Sequence, residues 1–374
     1  MKNLFKNLFV YKNRLQITVF CLLFSAFCFL QTSLFAQKTT TGAQSKSLTK
    51  SFSVSAKDIL KINTHFAKVT FQEWDKNEVE ITATVALNKS TATEQDMESL
   101  WNCINITNSQ SGKKISYKLT FSCSSTKKWN NLANYMEIRL LVKIPKDIFI
   151  DVESSFGDVK IPDVFNDFNA KVDFGDLTID KLLGNNNTIT LNQGKLQIGQ
   201  VDQLTLNTDF SKVNLQEVGA LKLKSSFSTL EIGRATRIKL TSSQDKISII
   251  NNIDHIEGEM DFGTLKINSL KSTCVFSNFS FSKITIDKVL RSFTNISISS
   301  SQSTLVLNVP RDESFEFNYS GSFTKFKYDN IKLNEAAFKS DNNSVQMSGL
   351  YGKNQASGKK ITISASFGIL SLFE

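Results

Sequence analysis

The chain has 374 residues, with 44 basic and 35 acidic side chains, a formal net charge of +9, and 30 phenylalanines against three prolines and two histidines. With so few prolines the turns fall to Gly, Ser and Asn, and no Pro-rich linker divides the chain. The lysines are dispersed rather than clustered, which excludes a nucleic-acid-binding patch of the usual kind.

At the N-terminus Lys2, Lys6, Lys12 and Arg14 precede an apolar run from Ile17 to Leu30 and then the polar-to-small stretch QTSLFAQ. This is the pattern of a secretory signal peptide spanning residues 1–36, with cleavage after Ala36; an uncleaved membrane anchor is the alternative, disfavoured because the apolar run is shorter than the roughly 18 to 20 residues that span a bilayer. Cys21 and Cys28 each follow Phe, which is not a lipidation signal. Cleavage removes four of the 44 basic residues and none of the 35 acidic ones, leaving a net charge of +5. No later apolar run reaches membrane-spanning length, so no stable membrane insertion is expected after cleavage. Residues 37–50 read as a flexible lead.

Residues 51–150 read as an N-terminal β unit. FQEWDKNEVEITATV predicts two strands about a turn at Asp75–Asn77. A single amphipathic helix is predicted over about 91–102: Thr91 and Glu94 have capping-box spacing, and Met97, Leu100, Trp101 and Ile104 fall at i, i+3, i+4 and i+7. Its apolar stripe is expected to cover one end or face of the strands. Cys103 and Cys123 flank a hairpin with its turn near Ser111–Gly112, which makes a disulfide geometrically conceivable and leaves Cys274 free. Three buried free thiols are the alternative.

One six-residue pattern organises the chain: Phe or Gln, a small or polar residue, any residue, then apolar, polar, apolar. It begins at Phe66, Phe156, Phe174, Gln193, Phe210, Phe227, Gln244, Phe262, Phe281, Gln302, Phe323 and Phe367, and the spacings from Phe156 to Phe323 are 18, 19, 17, 17, 17, 18, 19, 21 and 21 residues. A near-constant period of this size marks stacked supersecondary units, each too small to bury a core alone. The predicted fold is therefore all-β, a parallel β-solenoid of 17–21-residue two-strand coils over residues 151–320, with an antiparallel β-sandwich or roll as the alternative. Pro145 in VKIPKD and Pro310 in LNVPRD mark its two boundaries, and residues 321–374 form a closing β unit. From Phe156 the first position runs Phe, Phe, Gln three times over. In a solenoid these side chains form one column, and burial there would make Phe→Ala cost about 3–5 kcal/mol.

DFG occurs at Asp173 and Asp261, but the glycine-rich loop, strand lysine and catalytic loop of a kinase are missing. His65 and His255 have no metal-ligand partners at the required spacing. The outward residues between the paired apolar positions read Lys160, Thr178, Gln197, Asn214, Glu231, Ser248, Lys266, Thr285 and Val306. That column holds no carboxylate ladder for acid–base work. No catalytic, cofactor-binding or metal residue is assigned, no cofactor is expected, and the chain reads as a non-enzyme.

The run FAKVTFQEWDKNEVEI, then IPKDIFIDVESSFGDVKI, then the closing GKKITISASFGILSL resembles the bacterial β-strand-repeat "putative adhesin" family, related to head domains named for a GIN motif. The resemblance covers most of the chain after residue 36. It implies an exported β-solenoid, often encoded near sigma and anti-sigma factors, with no catalytic residues to carry over. The leading functional reading is a cell-envelope structural or interaction protein, periplasmic or on the outer cell surface, that meets a protein or polysaccharide partner and no nucleic acid. A periplasmic sensor or envelope-stress accessory protein linked to a sigma/anti-sigma system is the alternative, and a polysaccharide-active β-helix enzyme a third reading.

Overall fold

The computed structural model describes residues 39–42, 45–88, 92–123, 133–311, 313–328, 333–352 and 358–373. The segment 1–36, read from sequence as a signal peptide, lies outside them. The first elements are β1 (Thr39–Gly42), β2 (Ser45–Ser53), β3 (Ile59–His65), β4 (Ala67–Glu73), β5 (Glu78–Leu87), helix α1 (Glu94–Trp101), β6 (Ile104–Ser111), β7 (Lys114–Phe121) and β8 (Met136–Ile144). The coils follow as β9 (Phe149–Ser155), β10 (Val159–Ile161), β11 (Phe168–Asp173), β12 (Leu177–Leu182), β13 (Asn187–Asn192), β14 (Lys195–Asp209), β15 (Lys212–Ser226), β16 (Thr229–Ser243), β17 (Lys246–Asp261), β18 (Thr264–Ile267), β19 (Leu270–Ser280), β20 (Lys283–Ile286), β21 (Asn295–Ser301) and β22 (Thr304–Asn308). The closing elements are β23 (Phe315–Ser322), β24 (Lys325–Tyr328), β25 (Leu333–Ser340), β26 (Ser344–Tyr351), β27 (Lys360–Ser366) and β28 (Ile369–Phe373).

This is a parallel β-solenoid. Each coil lays its motif strand beside the motif strand of the next coil, as in Leu196↔Val213, Val213↔Leu230 and Leu230↔Ile247. The second half of each coil pairs the same way, with Leu206↔Leu223↔Leu240. In the middle coils the two halves run on as one bent strand of 15 or 16 residues. Alternation sends Val213, Leu215, Leu221 and Leu223 inward and their neighbours to solvent. The inward residues of all coils join one continuous apolar core from Phe52 to Leu372, which answers the need of each small unit for stacked neighbours. The coil beginning at Gln244 carries one residue more than its predecessor. A register shift opposite Ile232–Arg234 absorbs it, and Ile250 is left exposed there.

Sequence order and spatial order part at both ends. The coil β3–β4 stacks directly on β9–β10, with Leu60↔Ile150 and Val69↔Val159, although about 80 residues separate them in the chain. The intervening segment covers the exposed end of that coil. Strand β7 pairs in parallel with β3 and β8 with β4, while β5 and β2 continue antiparallel from β8. Strands β4 and β5, which meet at the predicted Asp75–Asn77 turn, are therefore not a hairpin, because β8 lies between them. At the other end β27 inserts between β21 and β23, and β28 between β22 and β24, so the last coil in sequence is the penultimate one in space. Strand β23 runs through residue 320, and the closing unit begins at Phe315 rather than at 321.

Two local expectations shift. The lead read as flexible over 37–50 contains β1 and most of β2, and β2 pairs along its length with β5. Most of its residues are Ser, Thr and Lys, with little apolar alternation. What holds them is the backbone ladder together with the hydroxyl pairs Ser47–Thr84 at 2.9 Å and Thr49–Thr82 at 3.0 Å. Helix α1 starts two residues later than the Thr91–Glu94 spacing suggests. Thr93 is the N-cap, its hydroxyl accepting from the Asp96 N–H while the Asp96 carboxylate accepts from the Thr93 N–H. The shorter Asp closes this box as Glu would. Met97 and Leu100 are buried against β2 and β5, whereas Ile104 belongs to β6. The Cys103–Cys123 disulfide is present, with Cα atoms 4.9 Å apart, and Cys274 is free and buried.

Candidate interaction surface

The twelve motif-opening residues share one backbone state. Phe66, Phe156, Phe174, Gln193, Phe210, Phe227, Gln244, Phe262, Phe281, Gln302, Phe323 and Phe367 all have φ between +47° and +59°. The left-handed region is costly for a residue with a Cβ, and it occurs here because the chain must reverse within one residue to start the next motif strand. Each N–H is then aimed at the following coil: Phe210 donates to Ser226 O at 3.1 Å, Phe227 to Ser243 O at 3.1 Å and Gln244 to Asp261 O at 2.9 Å. The conformation recurs in register, so the side chains file along one edge of the solenoid.

The rings stack face to face. Centroid separations are 5.1 Å for Phe66–Phe156, 4.8 Å for Phe156–Phe174, 4.7 Å for Phe210–Phe227, 4.7 Å for Phe262–Phe281 and 4.9 Å for Phe323–Phe367, with interplanar angles of 13° or less. Phe121 closes the first stack edge-on at 6.2 Å from Phe66. The column predicted from sequence is there, but the burial assigned to it is not. The nine rings are 46 to 58% exposed, because a left-handed corner directs the side chain outward while the strands on either side bury their own apolar residues. The cost expected for a buried Phe does not apply to them.

Behind the rings, the second motif position forms a polar ladder. The Ser211 N–H donates to Ser228 Oγ at 3.0 Å, the Ser228 N–H to Asp245 Oδ1 at 2.7 Å, the Gly263 N–H to Ser282 Oγ at 2.9 Å and the Ser282 N–H to Ser303 Oγ at 3.1 Å. These hydroxyls in turn donate to carbonyls of their own coil, as Ser228 Oγ does to Ser226 O at 2.8 Å. In this way backbone N–H groups buried at the corner are satisfied. Gly157 and Gly175 occupy the same position nearer the N-terminus, where a Cβ would stand 2.1 Å from Ala67 O and 2.3 Å from Gly157 O. Asp245 is the one carboxylate in this ladder and is 3% exposed. Burial pushes its pKa up, opposed by hydrogen bonds from the Ser242 hydroxyl and the Ser228 N–H. The motif QDKISI displays this Asp where the other copies have Gly, Ser, Ala or Thr, a signal that sequence reading could have used.

Other sequence candidates are dispersed. Asp173 accepts from Asn192 Nδ2 at 2.6 Å, and Asp261 follows it several coils later in the same outward column, so both DFG triplets are corner residues. His65 ends β3 and is exposed, while His255 shares a 3.0 Å hydrogen bond with Thr273 on β19. The residues Lys160 to Val306 do form one outward column. Elsewhere, Lys61 and Glu153 pair at 2.8 Å, which raises the lysine pKa and lowers that of the carboxylate.

Residues 58–232 match the Toastrack DUF4097 family model. That segment is a Toastrack domain. The coils after residue 232 repeat its architecture without a break in the core. Two solved structures are similar: a "putative cell adhesion protein" from Clostridium sporogenes, at 10% identity over 88% of this chain and 99% of that one with a TM-score of 0.20, and a "putative adhesin" from Bacteroides fragilis, at 12% identity over 70% and 95% with a TM-score of 0.33. No curated protein matches the sequence. Among the described residues, no helix is long and apolar enough to cross a membrane.

Proposed function

We propose that the protein is an exported, non-enzymatic interaction scaffold of the cell envelope, a stiff solenoid that presents a regular surface to a partner. The observation that carries this reading is the file of half-exposed Phe rings along one edge of the Toastrack coils. Contiguous exposed apolar surface on a folded protein marks an interaction site more often than not. The rings are held by coil register and backbone conformation, so the surface is organised before any partner arrives, which lowers the ordering cost of binding. The charged N-terminus followed by an apolar run supports export, and the family resemblance supports an adhesin-like role.

Two experiments test the reading. Fractionation of cells, followed by protease treatment of intact cells, should find the processed chain in the envelope and report whether it is periplasmic or surface-exposed; an unprocessed cytoplasmic protein would refute export. Incubation with a panel of envelope polysaccharides and peptides should release no products, and reproducible cleavage abolished by replacing one Asp or Glu would establish an enzyme instead.

A further inference from the structure

Beside the ring file, on the motif-strand face, strand register places one residue per coil in a single exposed row. In spatial order Lys212, Thr229, Lys246, Thr264, Lys283 and Thr304 occupy consecutive positions. Lys195 precedes the row, and Lys325 ends it beyond Ile369. From Lys212 to Thr304 lysine therefore alternates with threonine, and over that stretch the ammonium groups recur at every second coil, about 10 Å apart at a strand spacing of ~4.8 Å. Among the described residues, the ion pairs on the solenoid do not include Lys212, Lys246, Lys283 or Lys325. Immediately next to each of these residues, across one corner position, stands a Phe or Gln of the ladder.

We infer that this strip binds an extended acidic polysaccharide lying along the solenoid axis, an assignment that rests on the scaffold reading above and names its partner. An extended β-linked glycan advances by about one strand spacing per sugar, so a polymer with a carboxylate on alternate sugars meets the lysine period. Threonine hydroxyls and the exposed amides of Gln193, Gln244 and Gln302 supply hydrogen bonds to sugar hydroxyls, and the ring edges pack against the C–H faces of the sugars. The geometry disfavours two other polyanions. Single-stranded nucleic acid needs open aromatic faces on which successive bases stack, and here every ring has at least one face covered by a neighbouring ring. A lipid surface needs side chains that reach into the interface, and these rings are half-buried in a file one residue wide.

The test measures binding of the purified protein to hyaluronate and to unsulfated chondroitin, both β-linked polymers with a carboxylate on alternate sugars. The comparison probes are a neutral cellulose oligosaccharide, oligo-dT and phosphatidylglycerol vesicles. Binding to an acidic glycan is expected, weakening with salt. The triple variant Lys212→Gln/Lys246→Gln/Lys283→Gln should lose about tenfold or more in affinity, because three exposed charge contacts of modest individual worth are removed together. The triple variant Lys222→Gln/Lys224→Gln/Lys239→Gln, on the opposite face, removes the same net charge and should bind as the parent does. Thermal melts of both variants confirm that each is folded. The assignment is overturned by failure to bind either acidic glycan, by equal losses in the two variants, or by equal or tighter binding of oligo-dT or the vesicles. Any of these results leaves the scaffold reading standing, since fractionation and product release test it separately.

Discussion

Replacing Phe227 separates two contributions that oppose each other at one position. The ring is 49% exposed, it stacks on Phe210 at 4.7 Å, and its backbone has φ +49°. A phenyl side chain carries roughly 200 Å² of surface, so half burial contributes about 2.5 kcal/mol at ~25 cal/mol per Å² before the partial burial already present in the unfolded chain is deducted. Loss of the stack adds about 0.5–1.5 kcal/mol, and no cavity forms because the vacated space opens to water. With roughly 10–40% of the burial part deducted, Phe227→Ala should therefore cost about 2–4 kcal/mol, below the roughly 3–5 kcal/mol of a fully buried Phe. Alanine keeps the left-handed strain, whereas glycine removes it. Phe227→Gly should accordingly be more stable than Phe227→Ala by about 1 kcal/mol, reversing the usual order inside regular structure, where glycine is worse by roughly 0.5–1 kcal/mol. Urea unfolding of the three proteins, followed by far-UV circular dichroism with m-values compared, measures both differences. An alanine variant as stable as the glycine variant, or more so, would refute the claim that the corner conformation is strained.

Four other outcomes are expected. Asp245→Ser should remove a pH dependence: the folded pKa is raised by burial above the ordinary 3.8, so the parent's stability relative to the variant is highest below that value and falls as pH rises through the raised one. Melting curves of the two proteins from acid to neutral pH check the sign, and a gap constant with pH would contradict it. Gly175→Ala forces a Cβ against the Gly157 carbonyl and should cost about 1–3 kcal/mol, whereas the exposed Thr229→Ala should stay within about 0.5 kcal/mol by the same unfolding assay. Reduction of Cys103–Cys123, which closes a loop over a sequence separation of 20, should destabilise the N-terminal cap by about 3 kcal/mol, read as a lower melting temperature with reductant. Cys274 is fully buried with its thiol pushed up to about 12, so thiol reagents should label it only after unfolding.

The sequence alone determined the repeat, its period, the inward and outward sides of every motif strand and the common column of Phe and Gln. These follow from side-chain alternation and spacing, which are local and survive in one dimension. The flanking cysteines and the helix were legible for the same reason, although the capping box is closed by Thr93 and Asp96 rather than by the Thr91 and Glu94 of the sequence reading. Tertiary structure alone decided the placement of β8 between β4 and β5, the stacking of β3–β4 on β9–β10, and the insertion of β27–β28 before β23–β24. Each depends on which exposed backbone edge a distant strand covers, and backbone hydrogen bonds carry no residue code. It also decided that the Phe column faces water. Burial in sequence reading is inferred from apolar character, whereas at these corners a left-handed φ sets the direction of the side chain, and a phenyl ring gives no hint of that conformation. The alternating Lys–Thr row became visible for a related reason: its members lie 17 to 21 residues apart in the chain, and only the lateral register of parallel strands makes them neighbours.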